Sequence, residues 1–180
     1  GGCGGTTPHY IEALAESVKG CPIAPCCTGK GSLLSCVCGV VAPHTDNFLI
    51  IGERINPTGQ KELQQDLLDE DYDILLDLAD EQIEAGASLL DVNVGMAGID
   101  EKKALPSAVL QLSAYHRLPL CIDSADPDAM EAALRVYPGR ALVNSVSCRQ
   151  SPTKMLSLCA KYGAMFIALP IGDDGIAMTA

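Results

Sequence analysis

Aromatic residues make up only 4% of this 180-residue chain: five Tyr, two Phe and no Trp. Basic residues are nearly as sparse, with 12 Lys and Arg against 23 Asp and Glu and a net charge of −11. A nucleic-acid surface needs a positive field and aromatic stacking platforms, so no nucleic-acid partner is expected. No apolar run approaches the roughly 20 residues of a membrane span, and no charged leader precedes an apolar signal core, so no membrane partner and a cytoplasmic location are expected. The nine cysteines are odd in number and do not read as a disulfide framework. Cys121 and Cys159 fall on predicted core faces, where a thiol acts as a small hydrophobe, and a reducing compartment follows.

Apolar residues reach 48%, and they are organised. Four runs, residues 48–56 (FLIIGERIN), 89–95 (LLDVNVG), 118–124 (LPLCIDS) and 141–147 (ALVNSVS), each end in small, neutral or acidic hydrogen-bonding residues. A short continuous apolar run makes a strand buried on both faces, and the polar group at its carboxyl end is lifted to the rim of a parallel barrel. Glu53, Asn56, Asp91, Asn93, Asp123 and Asn144 then converge from four strands. The fold class is α/β, a partial (β/α)8 barrel of about five βα units, since a complete one needs about 250 residues.

The intervening segments carry helical patterns. Thr7-Pro8 reads as a capping hydroxyl followed by proline at the first helical position, with Ile11, Leu14, Ala15 and Val18 at helical spacing until Gly20. Residues 21–47 are punctuated by Pro and Gly and read as an interdomain linker in which only residues 33–41 suit a short hairpin or edge strand. Helices are expected over residues 60–68, 72–85 and 102–116, with Pro106 kinking the last or marking a false start. Asp126-Pro127 and Ser151-Pro152 repeat the cap-then-proline start, Gly86, Gly139 and Gly163 read as helix stops, and a fifth strand is expected over residues 165–171. The acidic run from Asp66 to Asp80 reads as a solvated helix face, and His9, His44 and His116 as solvated rings. Cys21, Cys26, Cys27, Cys36 and Cys38 match no zinc spacing.

Taken together, GERINPTG (52–59), DVNVG (91–95) with GIDE (98–101), CIDS (121–124) and RALVNSVS (140–147) resemble the methyltetrahydrofolate-binding barrel of the cobalamin-dependent methionine synthase family. Dihydropteroate synthases and the methyltransferases that serve corrinoid iron–sulfur proteins resemble it in the same pocket. Residues 1–7 (GGCGGTT), followed by Pro8 and ALAESVKG, resemble the end of the homocysteine-binding barrel of the methionine synthase family, which the other two families lack. The resemblance implies three parts: residues 1–20 as the end of a homocysteine-binding domain, 21–47 as linker and 48–180 as the amino-terminal part of a pterin-binding domain. It thus implies a fragment spanning a domain junction and inactive by itself.

For this chain the resemblance implies 5-methyltetrahydrofolate as substrate, homocysteine as methyl acceptor, and cobalamin held on a domain or protein outside it. Zinc enters through Cys3, where the family usually has two adjacent cysteines and this sequence has Cys3 followed by Gly4; fewer thiolates make a weaker activator of homocysteine. Cys148 and Ala97 also depart from the family's usual glycine and proline. Asp123 and Asn144 match the pterin-binding positions, with second readings as a helix cap and a turn residue. Asn93 is read as pocket lining, Asp91 equally as pocket lining or as an internal hydrogen-bonding group, and Arg54 as the partner of one of these carboxylates. The groups that assist loss of the N5 methyl lie, by the same resemblance, on later strands. Two other readings stay open: a stand-alone pterin methyltransferase delivering methyl to a separate corrinoid protein, and a non-catalytic binding module.

Overall fold

The computed structural model describes residues 4–22, 32–43, 48–148, 152–172 and 175–176, and falls into two units, residues 1–30 and 31–180. In the first unit, α1 (Pro8–Val18) begins with proline where no N–H is needed and ends before Gly20 at φ 79°. The Thr7 side chain makes no capping bond, so proline alone marks the start. No α1 side chain is buried, and Ile11, Leu14 and Val18 are exposed.

The second unit opens with an antiparallel hairpin, β1 (Leu34–Ser35) and β2 (Val40–Val41), inside the stretch read as linker. Five parallel strands follow in sequence order: β3 (Ile51–Ile55), β4 (Leu89–Val92), β5 (Leu120–Asp123), β6 (Leu142–Ser147) and β7 (Met165–Leu169). The crossovers are α2 (Lys61–Leu68) with α3 (Asp73–Glu84), then α4 (Glu101–Tyr115), α5 (Pro127–Val136) and α6 (Pro152–Tyr162). A second small hairpin, β8 (Ile171–Gly172) and β9 (Gly175–Ile176), comes after β7. This is the expected α/β half-barrel, with β3 and β7 at the edges of the five-stranded sheet. No helix among the described residues is long and apolar enough to cross a membrane.

Alternation along the strands divides the core in two. Leu90 and Val92, Leu120 and Ile122, and Val143 face the helices and pack with Leu63, Leu75, Leu105, Val109, Leu112, Met130 and Met155. Each fully buried Leu or Ile there contributes about 2 kcal/mol. Their neighbours Leu89, Cys121 and Leu142 turn to the opposite face, where Leu34 of the hairpin joins them. The same parity carries Asp91, Asn93, Asp123 and Asn144 onto that inner face.

Local signals mostly act as expected. Asp126 caps α5 by accepting from the Asp128 N–H at 2.8 Å. Gly86 and Gly163 end α3 and α6 at φ 96° and 67°. Pro106 neither breaks α4 nor delays it; the helix runs through, pinned by buried Leu105, Ala108, Val109 and Leu112 around the one missing backbone donor. Asp66 is not solvated: it is buried and accepts from the Leu75 N–H at 3.4 Å, joining α2 to the first turn of α3, and burial raises its pKa. Nor is the His116 ring solvated, because it lies beneath the end of α4 with Nε2 3.1 Å from Asp80. His44 lies outside the described residues.

Gly139 does not stop a helix. α5 has already ended at Val136, and a Cβ at Gly139 would fall 2.0 Å from the Ser35 carbonyl oxygen. The glycine lets the hairpin lie against the chain entering β6, where the Tyr137 hydroxyl donates to the Ser35 carbonyl at 2.7 Å and accepts from the Leu120 N–H at 3.0 Å. Arg140 extends the seam by donating to the carbonyls of Leu33 at 3.1 Å and Gly163 at 2.7 Å. Since backbone is what the new methyl would meet, Gly139→Ala is expected to lower unfolding free energy by about 1–3 kcal/mol. Urea denaturation checks this, and an unchanged midpoint would show that the hairpin is free to move away.

Candidate functional site

The rim begins with register. Asp123 and Asn144 are directly paired residues of adjacent parallel strands, so both side chains leave the sheet on the same face. The Ser124 N–H donates to the Asn144 carbonyl at 3.2 Å and holds the two strand ends together. Between them opens a cleft of about 380 Å³, lined also by Ser124, Pro127, Ser145, Met155 and Leu169. Two larger hollows, about 610 and 560 Å³, lie among α2, α3 and α4 and include none of the six predicted rim residues. The cleft at the carboxyl ends of β5 and β6 is where the polar chemistry converges.

Of the other four, Asn93 and Asp91 bond to these two residues, whereas Glu53 and Asn56 do not line the cleft and bond to each other. Asn93 donates from Nδ2 to Asp123 Oδ2 at 2.8 Å and accepts the Gly95 N–H at Oδ1, also at 2.8 Å, so both ends of its amide are held. Asp91 sits one layer deeper, 4% exposed, and accepts from Asn144 Nδ2 at 3.4 Å. Glu53 stands on the exposed edge strand and accepts from Asn56 Nδ2 at 3.1 Å, while Asn56 Oδ1 takes the Thr58 N–H at 3.0 Å. Asn56 is thus engaged in shaping the loop after β3. Arg54 pairs with none of these carboxylates. It stands two residues after Gly52, whose missing side chain would meet Gln82 of α3, so alternation points it to the helix side, where it forms an exposed pair with Glu81 on α3.

Electrostatically the rim is a crowd of acids. Burial raises the pKa of Asp91, the charges of Asp123 and Glu53 add to the rise, and the Cys121 thiol and the Asn144 amide oppose it. Asp123 is raised mainly by burial and then by Glu53, against the hydrogen bond from Asn93. Burial, with Asp91 next, drives the Cys121 thiol well above its ordinary range, so it remains protonated and inert. Ion pairs gather instead on the outer helices, where Asp128 holds Lys102 and Lys154 at 2.8 and 2.6 Å; these exposed contacts add little stability.

Cys3 lies outside the described residues, as do Cys26 and Cys27. Among the described residues no group of three or more His, Cys, Asp and Glu side chains gathers as a metal site would require. Sequence reasoning missed the cleft-lining Ser145, Met155 and Leu169. The proline start at Pro152 was the signal for Met155, since it fixes where the first turn of α6 meets the rim.

Fold and site together define an α/β parallel-barrel domain with a small-molecule cleft at the carboxyl ends of its strands. Residues 52–178 match the pterin binding enzyme family, and the chain belongs to it. It is 32% identical to the methionine synthase of Mycobacterium leprae (strain TN), over 99% of this chain and 16% of that protein. With the methionine synthase of Mycobacterium tuberculosis (strain ATCC 25618 / H37Rv) it shares 33% identity over 100% of this chain and 16% of that one. The chain therefore spans about one sixth of the length of these curated relatives.

Among solved structures, a dihydropteroate synthase from Clostridium difficile in the presence of pteroic acid aligns with TM-score 0.57 at 20% identity, covering 78% of this chain and 55% of that one. One from Xanthomonas albilineans, in complex with indole-2-carboxylic acid and 6-chloroguanine, aligns with TM-score 0.55 at 20% identity, covering 78% and 50%. These likenesses bear out the half-barrel fold.

A carboxyl group whose pKa is raised by folding binds its proton more tightly in the native than in the unfolded chain. Its contribution is fully present below about pH 4 and is lost as pH rises through the raised native value. Asp91→Asn is therefore expected to raise the thermal midpoint at neutral pH and to lose that advantage as the solution is acidified into the ordinary aspartate range. Melting curves across pH test this; a gain that grows on acidification would contradict the burial argument.

Proposed function

We propose that this chain carries the recognition part of a folate site in a methyltransferase of the methionine synthase type. The bound substrate is 5-methyltetrahydrofolate, whose methyl group passes by way of cobalamin to homocysteine to form methionine. The observation that carries the reading is the register pairing of Asp123 with Asn144 over one cleft. A carboxylate and an amide side by side meet the amino and amide N–H groups of a pterin ring, and those donors offset the desolvation of Asp123.

Cobalamin, when bound to its own domain, supplies the acceptor for the methyl group. The residues of this chain bind and orient the pterin: Asp123 and Asn144 directly, Asn93 by holding Asp123, Asp91 from beneath, and Glu53 with Asn56 at the open edge. N5 must acquire a proton or a strong hydrogen bond as the methyl leaves, because an amine anion is a poor leaving group. None of the six rim residues is assigned that step. The match to methionine synthases through the whole chain supports residues 1–20 as the end of a homocysteine-binding domain, 21–47 as linker and 48–180 as the pterin-binding part. Zinc, which enters through Cys3 alone, is given no step.

Asp123→Ala and Asn144→Ala are each expected to weaken binding of a tetrahydropterin by about 5- to 100-fold, the loss of one or two hydrogen bonds to a charged or polar group. Ligand titration followed by NMR measures this, with circular dichroism to confirm the fold. Unchanged affinity in both variants would refute the assignment.

A further inference from the structure

We propose that Asp91 is a positioning residue that turns the Asn144 amide so its carbonyl, rather than its NH2 group, faces the cleft. The site is thereby selective for a ligand edge that donates hydrogen bonds. The ligand named below rests on the pterin reading; the positioning rests on geometry alone.

Asp91 is buried on the inner face of the sheet, below the level of the cleft, and its Oδ1 lies 3.4 Å from Asn144 Nδ2. An ionised carboxylate accepts hydrogen bonds and has none to give. The flipped Asn144 amide would press its carbonyl oxygen against that buried carboxylate, so the NH2 group is held downward. Among the described residues no donor reaches Asn144 Oδ1, which the observed orientation leaves to the cleft.

Asn93 produces a matching outcome on the adjacent strand. Its NH2 group donates to one oxygen of Asp123 and its carbonyl accepts the Gly95 N–H, so its amide orientation is fixed and it holds Asp123 in place. The second Asp123 oxygen and the Asn144 carbonyl then stand beside each other as two acceptors. Two adjacent acceptors fit a ligand with two neighbouring N–H donors, such as the 2-amino group and ring N–H of a 2-amino-4-oxopteridine. A 2,4-dioxopteridine places an oxygen where the amino group should be and meets an acceptor with an acceptor.

The test compares pterin with lumazine, its 2-oxo analogue, on the unaltered chain, Asp91→Ala and Asp91→Asn, and follows hydrogen exchange at Asn144 Nδ2 by NMR without ligand. The unaltered chain is expected to prefer pterin by about tenfold or more, the effect of one mispaired polar contact. Asp91→Ala, which offers no acceptor, is expected to erase that ratio and the exchange protection together. Asp91→Asn, whose amide can accept from Asn144 or donate to it, permits both orientations and is expected to give a ratio and a protection between those of the unaltered chain and Asp91→Ala. A ratio that survives Asp91→Ala would overturn the proposal, since a purely supporting residue would weaken both ligands alike. If neither pteridine binds while the exchange pattern still follows the acceptor at residue 91, the folate reading fails and the positioning role stands. Should Asp91→Ala not fold, exchange at Asn144 Nδ2 as fast as at a solvent-exposed amide in the unaltered chain overturns it.

Discussion

A strand covered on both faces must send every second side chain into the barrel interior, and that parity is the constraint from which the site follows. Leu89, Cys121 and Leu142 fix it at the amino ends of three strands, where they pack on Leu34. Two residues further along, the same face must hold Asp91, Asp123 and Asn144. A one-residue slip would exchange them for Leu90, Ile122 and Val143 and destroy core and cleft at once. Stability and recognition are therefore set by a single register, and the helices enforce it from outside through Leu90, Val92, Leu120 and Ile122.

The acidic rim is held against its own repulsion by neutral amides. Asn93 grips Asp123, Asn144 covers Asp91, and Asn56 holds Glu53. No Lys or Arg side chain pairs with these three carboxylates among the described residues; Arg54, the nearest in sequence, faces Glu81. A cation there would neutralise the acceptors that the proposed pterin needs, whereas an amide orders a carboxylate without removing its charge. Such an arrangement stores unfavourable desolvation in the free protein, which is the usual condition of a recognition site.

The hairpin at the opposite end does separate work. Tyr137 and Arg140 bind its backbone with donors that belong to the barrel, Gly139 gives it room, and Leu34 closes the interior below the polar layer. Water entering from that end would hydrate Asp91, and the low dielectric that makes its hold on Asn144 decisive would be lost.

The order of elements, the parallel strands and the proline starts at Pro8, Pro127 and Pro152 were legible in the sequence, because they follow from local periodicity and local helix-start chemistry. Four of the misread residues share one feature: their partners lie on other elements. Asp66 meets the start of another helix, His116 meets Asp80, Gly139 meets Ser35, and Arg54 meets Glu81. By itself the sequence determined which residues stand at the strand ends and which face they take, since alternation is a property of the backbone. Only the tertiary structure decided which of them touch, that Asp91 lies beneath Asn144 and that Asn93 is spent on Asp123, because hydrogen-bond partners across a sheet are set by strand order and register and not by distance along the chain.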